Sequence, residues 1–260
     1  MKRDSLLIRS LWRRLRLRVA YEVASRSVEN CLRRNPALRQ RIEEVRRLSK
    51  STGCSLGDYV VLYEFIRRLK PRIVLECGTG MSTHVIAQAM LDQAGGKHEA
   101  GMKLISMESV QDWRDHNIGL LPAEFRGFTE ILFSPAVEYA YSFIRGSAYE
   151  QVPDYQYELV FVDGPTDTLP GGARVCNMDF VRVVTNSQRP VWGIIDGRPR
   201  TVMAYQAIFG HDKVRYYPAW NLSVVRGVTK QDLRLEDNNH MAECIGAGAI
   251  GLTYGRPFAL

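Results

Sequence analysis

A chain of 260 residues, 45% hydrophobic and 24% charged, suits one large α/β domain with additions and excludes a disordered or low-complexity protein. No apolar run approaches the ~18–20 residues of a membrane-spanning helix, and Cys31, Cys54, Cys77, Cys176 and Cys244 have neither zinc-ligand nor C-x-x-C spacing. The net charge of +7 is unevenly held: residues 1–50 carry 15 Lys/Arg against 5 Asp/Glu, leaving 20 against 23 elsewhere, so the basicity belongs to the first segment rather than to any pocket beyond it.

An odd number of widely spaced cysteines reads as reduced thiols in a cytosolic protein. Arg9, Arg13, Arg14, Arg16 and Arg18 interrupt any secretory apolar region. Residues 5–32 are expected to form an amphipathic helix, with Ile8, Trp12, Leu15, Val19 and Val23 at helical spacing and arginines over much of the rest. Asn35-Pro36 breaks it, and Ala37 to Leu48 resumes as a charged helix. Such an arm can lie on an anionic membrane surface. It can bind nucleic acid or act as a transit peptide, or it can pack on its own domain or on a second subunit.

From Ser51 the texture changes. Ser55 can cap a helix reaching Leu69, with Tyr59, Leu62, Tyr63 and Ile66 on one face and Pro71 ending it. Ile73-Val74-Leu75 then suits a strand buried on both faces. Glu76-Cys77-Gly78-Thr79-Gly80 follows as a glycine turn with an acid, and Ser82 or Thr83 can cap the next helix. The free N–H groups of that helix face whatever binds above the turn. A dinucleotide fingerprint would want a third glycine where Thr83 stands.

Glu76-x-Gly78-x-Gly80 resembles motif I of the class I S-adenosylmethionine-dependent methyltransferases. The resemblance covers residues 51–228. It implies a Rossmann-like, doubly wound, mostly parallel seven-stranded sheet in the order 3-2-1-4-5-7-6. It also implies S-adenosyl-L-methionine as cofactor, held by Glu76, Gly78, Gly80, Ser82 and Thr83. A second strand near Lys103 to Met107 ends at Glu108, where an acid faces the ribose of a nucleoside bound at the first loop. The resemblance gives Glu108 both ribose hydroxyls. A third strand, Phe128 to Phe133, leads to Ser134, which the family would set beside the adenine. A helix is expected from Ala136 to Arg145.

Tyr157 to Val162 reads as a buried strand that ends in Asp163-Gly164-Pro165. It resembles the fourth-strand motif of bacterial methyltransferases with a Val-Asp-Gly-Pro turn and a following arginine, here Arg174. Cys176 to Val184 reads as helical, Val191 to Ile195 as a strand ending at Asp196-Gly197, and Thr201 to Phe209 as a helix. Lys213 to Tyr217 and Leu222 to Val228 can close the sheet as an antiparallel pair. Gly246 to Gly251 matches G-x-G-x-x-G letter for letter, but only nine residues follow, too few for a dinucleotide site. The chain thus divides into a basic helical arm (1–50), a cofactor-binding domain (51–228) and a tail packed on it (229–260).

Methyl transfer requires donor and acceptor held in line and, for a hydroxyl acceptor, a base. Asp163 is the first candidate base and could also touch the cofactor, Asp196 is the second, and His84 is the nearest imidazole. Asp163 and Asp196 could instead hold a divalent cation. Gly197, standing where catechol-type enzymes place an asparagine, disfavours that reading. No Asn-Pro-Pro-Tyr or Asp-Pro-Pro-Tyr turn and no Pro-Cys nucleophile is present. Asp-Gly-Pro and Asp-Gly-Arg fit O-methylation of a sugar, glycan or small-metabolite hydroxyl. The expected setting is cytoplasmic, at the membrane periphery if the arm docks there. Two alternatives stand beside it: an RNA methyltransferase using the arm, and a non-catalytic S-adenosylmethionine-binding protein.

Overall fold

A computed structural model describes residues 2–49, 55–169 and 171–234, with side chains described from residue 14 onward. The chain opens with α1 (Lys2–Arg34) and α2 (Pro36–Leu48). The Ile8 and Trp12 side chains of the expected stripe, and the Gly246–Gly251 run, lie outside the described residues. Ala24 and Cys31 of α1, and Leu38, Ile42 and Val45 of α2, are buried in the same core cluster as the helices that follow.

Ser55 caps α3 (Leu56–Leu69) in a reciprocal box with Asp58. Lys70 ends the helix in the left-handed region at φ 53. Besides the four expected residues, Val60, Val61 and Phe65 of α3 are buried. This helix is therefore covered nearly all round, by the sheet on one side and by helices on the other.

The main sheet takes β1 (Ile73–Cys77), β2 (Lys103–Glu108), β3 (Thr129–Phe133), β6 (Leu159–Val162), β8 (Val191–Asp196), β9 (Val214–Tyr217) and β10 (Leu222–Val228). Their order is β3-β2-β1-β6-β8-β10-β9. All neighbouring pairs are parallel except β10 with β8 and β9, which is the expected closing hairpin. The labels differ from 3-2-1-4-5-7-6 because three strands of a second sheet intervene in the chain. Consecutive strand residues alternate between two cores. Val74, Leu104, Phe161 and Ile194 meet α3 and α4 (Met81–Gln93) on one side. Leu75, Ile105, Val160 and Ile195 meet α6 (Asp179–Asn186) and α7 (Pro199–Phe209) on the other. Burial on both faces explains the near-continuous apolar runs. A further helix, α5 (Gln111–Leu120), follows β2.

Two expectations are corrected. Residues 136–145 form no helix: β4 (Ala136–Tyr141) and β5 (Ile144–Tyr149) make an antiparallel hairpin. Val137, Tyr139 and Tyr141 recur with period two, and β-branched and aromatic residues favour a pleated, half-buried surface. Ser142, at φ 54, supplies the positive angle of the two-residue turn. The helix expected from Cys176 starts only at Asp179, because Cys176–Asn177 is β7, which pairs parallel with β5.

The hairpin packs tightly at Gly146. A Cβ there would stand 2.2 Å from Met178 Cγ and 2.5 Å from the Cys176 carbonyl oxygen. Gly146→Ala is therefore expected to destabilise the fold by about 1–3 kcal/mol, read as a lower midpoint in urea denaturation.

Candidate functional site

The sheet reverses its strand order between β1 and β6, and in open α/β sheets ligands bind outside the carboxyl ends of the strands at such a point. Cys77 is level with Met107 and Val162, and Val162 with Ile195. Gly78, Glu108, Asp163 and Asp196 therefore leave the sheet together. Gly78 has φ +97, and a Cβ on it would meet the Asp163 backbone at 3.0 Å, so only glycine fits this turn without strain. The indole N–H of Trp113, on α5, donates to the Thr79 carbonyl at 3.0 Å and fixes the loop.

Glu76 lies two residues below the rim and is fully buried. Its Oε2 accepts from Thr83 Oγ1 and Ser106 Oγ, both at 2.6 Å, while Oε1 has no partner. Burial pushes the carboxyl up to about 7; the bonds from Ser106 and Thr83, and the nearby Ser82 hydroxyl, oppose the rise, and the charge of Asp163 adds to it. Ser82 and Thr83 do not occupy the cap position as expected, because α4 already begins at Met81 and Gly80 precedes it. Thr83 Oγ1 instead accepts the Gly80 N–H at 3.0 Å from within the first turn. It thereby joins the glycine loop to Glu76.

Glu108 Oε1 accepts from the backbone N–H groups of Ser109 at 2.7 Å and Val110 at 2.9 Å. Burial still raises its pKa against those bonds and one from Thr79. Ser134 sits beside it: the Ser134 N–H donates to the Glu108 carbonyl, and Ser134 Oγ accepts from the Gln151 N–H at 2.9 Å.

Asp163 and Asp196 line one cavity of about 310 Å³, together with Asp167, Arg174, Arg198 and Arg200. Glu76, Glu108 and His84 are not part of its wall. His84 is buried on α4 with neither ring nitrogen partnered. Burial chiefly, with a contribution from the charge of Arg41 on α2, lowers its pKa to about 4. The imidazole is thus neutral at physiological pH and set apart from the two aspartates.

Arg198 is a residue the sequence reading passed over. Its Nη2 lies 3.1 Å from Asp163 Oδ1 and also donates to the Asp163 carbonyl. Nη1 donates to the Pro165 carbonyl at 3.2 Å and to Asn177 Oδ1 at 3.1 Å. The available signal was its place directly after Asp196-Gly197, since an arginine two residues past a strand-end acid can face the same rim. Asp58 is a second such residue. Its Oδ2 accepts the Ser55 N–H at 2.5 Å, and its buried Oδ1 has no partner. Burial pushes its carboxyl up to about 6, with a further upward contribution from Asp163. No group of three or more His, Cys, Asp or Glu among the described residues is placed to share a metal ion.

The architecture is that of a doubly wound α/β protein whose site gathers acids at the switch point. No protein-family model matches the chain, and no curated protein does. Among solved structures it is similar to the O-methyltransferase TomG from Streptomyces achromogenes, involved in tomaymycin synthesis and crystallised with SAM (17% identity over 66% of this chain and 68% of that one, TM-score 0.41). It is also similar to the O-methyltransferase from Bacillus cereus in complex with SAH (16%, 66% and 66%, TM-score 0.38). A methyltransferase from Geobacter sulfurreducens matches at 12% identity over 74% of this chain and 87% of that one, with TM-score 0.45.

The Glu76 shift makes a stability prediction. An unfolded glutamate titrates near ~4.3, whereas the folded one holds its proton up to about 7. Between those values the unfolded state has lost a proton that the folded state keeps. Stability contributed by this residue is therefore full below the lower value and falls as pH rises, levelling off above the higher one. At ~1.4 kcal/mol per pH unit the loss is about 4 kcal/mol. Glu76→Gln should make the ligand-free protein more resistant to urea than the wild type at pH 8. The advantage should shrink by pH 5, and equal midpoints at both pH values would contradict the assignment.

Proposed function

We propose that the chain is an S-adenosylmethionine-dependent methyltransferase that O-methylates a hydroxyl on a sugar, glycan or small polar metabolite. The observation that carries this reading is Glu76: a buried carboxylate under a glycine turn at the switch point, with one oxygen partnered by Thr83 and Ser106 and the other by nothing. Leaving a buried acceptor unsatisfied is costly, and a cationic ligand seated above the turn would offset that cost. A phosphate-bearing dinucleotide would add to the negative charge instead. Gly78, without a Cβ, allows close approach of such a ligand to the main chain, and Glu108 at the end of β2 suits a ribose diol. These features fit S-adenosylmethionine, with Gly80, Ser82, Thr83 and Ser134 completing the surround.

Bound there, the cofactor would supply an activated methyl group on a sulfonium. The protein's part is then chiefly to hold the acceptor oxygen in line with it, and positioning of this kind can be worth about 7–11 kcal/mol. The cavity beside Asp163 is walled by carboxylates and guanidinium groups, which suits a polyhydroxylated acceptor better than an apolar one. Of the carboxylates there, Asp163 and Asp196 stand at strand ends and are the ones proposed to take the hydroxyl proton as the new bond forms. Arg198 orients Asp163 through the 3.1 Å contact. His84, neutral and buried away from this cavity, serves better as packing on α4 than as the base.

Calorimetry with S-adenosylmethionine and with NAD is the first test: the former should bind and the latter should not. Glu108→Ala should weaken cofactor binding by roughly tenfold or more, through loss of charged hydrogen bonds. Asp196→Ala should spare binding and reduce turnover by about 10²–10⁴-fold. Asp163→Ala should impair both. Retained binding with no labelled product from any sugar or metabolite acceptor would favour a non-catalytic cofactor-binding protein.

A further inference from the structure

We infer that the outward face of α1 is a docking surface for an anionic lipid bilayer. From residue 14 onward, the buried positions of the helix fall on one face. Ala24, Ser27 and Cys31 are buried there, and the hydroxyl of Tyr21 donates to the Pro218 carbonyl at 3.2 Å. A helix packed in this way needs polar residues on its far side. Instead Leu15, Val19 and Val23, spaced by four and so aligned on one side of the helix, are 51%, 55% and 40% exposed. Arg14, Arg16 and Arg18 are exposed around them.

Charge decides the occupant. A second copy of this surface would bring the same arginines against one another, within a segment that carries 15 basic and 5 acidic residues. Nucleic acid would satisfy the arginines but has no use for an aliphatic stripe. An anionic bilayer takes both: the stripe enters the headgroup–acyl boundary, and the guanidinium groups pair with lipid phosphates. None of the described helices is long and apolar enough to cross a membrane, so the helix lies along the interface. The test of this surface needs no enzymatic activity.

The test is co-sedimentation of the full chain with vesicles of phosphatidylcholine alone and of phosphatidylcholine mixed with phosphatidylglycerol. Binding is expected to the mixed vesicles and not to the neutral ones. Leu15→Glu with Val19→Glu should weaken it roughly tenfold or more, as should Arg16→Glu with Arg18→Glu, with thermal unfolding of both variants unchanged. If the aliphatic variant is prone to misfold, Leu15→Ser with Val19→Ser gives the same readout at exposed positions. Equal binding by all variants, or no binding to mixed vesicles, overturns the inference. So does either of two other outcomes in the absence of lipid binding: a dimer in solution that the Leu15/Val19 change dissolves, or salt-sensitive binding of single-stranded RNA.

Discussion

The site depends on how closely two loops approach each other at the end of the sheet. The turn after β1 and the turn after β6 touch through backbone. A Cβ on Gly78 would stand 3.0 Å from the Asp163 and Gly164 backbone atoms, and one on Gly164 would stand 2.6 Å from Tyr149 Oη and 2.7 Å from the Gly78 nitrogen. Hydrogen bonds hold the contact from below. The Gly78 N–H and the Tyr149 hydroxyl both donate to the Met107 carbonyl, and the Asp163 N–H donates to Cys77. A ligand arriving at this edge meets a fixed peptide floor, with the acids standing at its margins. Their spacing is set by strand register rather than by flexible loops, which keeps such a constellation in place without reorganisation.

That economy of space has an electrostatic cost. Asp163 raises the pKa of both Glu76 and Asp58, and each of those two carries a buried oxygen with no partner. Burial is the larger cause in each case, so the protein holds at least two carboxyls in a state that water would not favour. Ser82, Ser106 and Thr83 soften the penalty at Glu76, and Ser55 does so at Asp58. A fold optimised for stability alone would place apolar residues of similar volume there. Their retention is the kind of local conflict that marks binding sites, where the missing counter-charge arrives with the ligand.

Most of the sheet was legible in the sequence because strands buried on both faces leave little room for ambiguity: Ile73 to Leu75, Leu159 to Val162 and Val191 to Ile195 admit almost nothing polar. The Gly78 turn was legible for a local reason, the backbone angle it must adopt. The hairpin β4–β5 was not. Its Ala136 to Arg145 stretch is short, half-exposed and mixed in polarity, so a helical reading and a period-two reading compete, and only the aromatic alternation at Tyr139 and Tyr141 favours the latter. The cap of α4 was misplaced by a turn because Ser82 and Thr83 both have the right chemistry, and only the burial of Glu76 draws Thr83 inward. Arg198 escaped because its partners lie 21 to 35 residues away, beyond what local pattern can join.

The missed hairpin and the missed arginine are connected. Strand β5 pairs with β7, which fixes Asn177, and Asn177 is where several elements are tied together. Its side-chain amide donates to the Pro165 carbonyl at 2.8 Å, its Oδ1 accepts from Arg198 and Thr201, and its own carbonyl accepts from Tyr205. The guanidinium that reaches Asp163 is therefore held from behind by an asparagine whose position depends on a small sheet outside the main one. Each of these groups is buried or half-buried, where hydrogen bonds act in a low dielectric and are stronger than in water; of the guanidinium nitrogens, Nη1 and Nη2 are bonded and Nε has no partner. Residues of low individual signal, 136–149 and 176–177, thus set the geometry of the acid that the sequence marks most clearly.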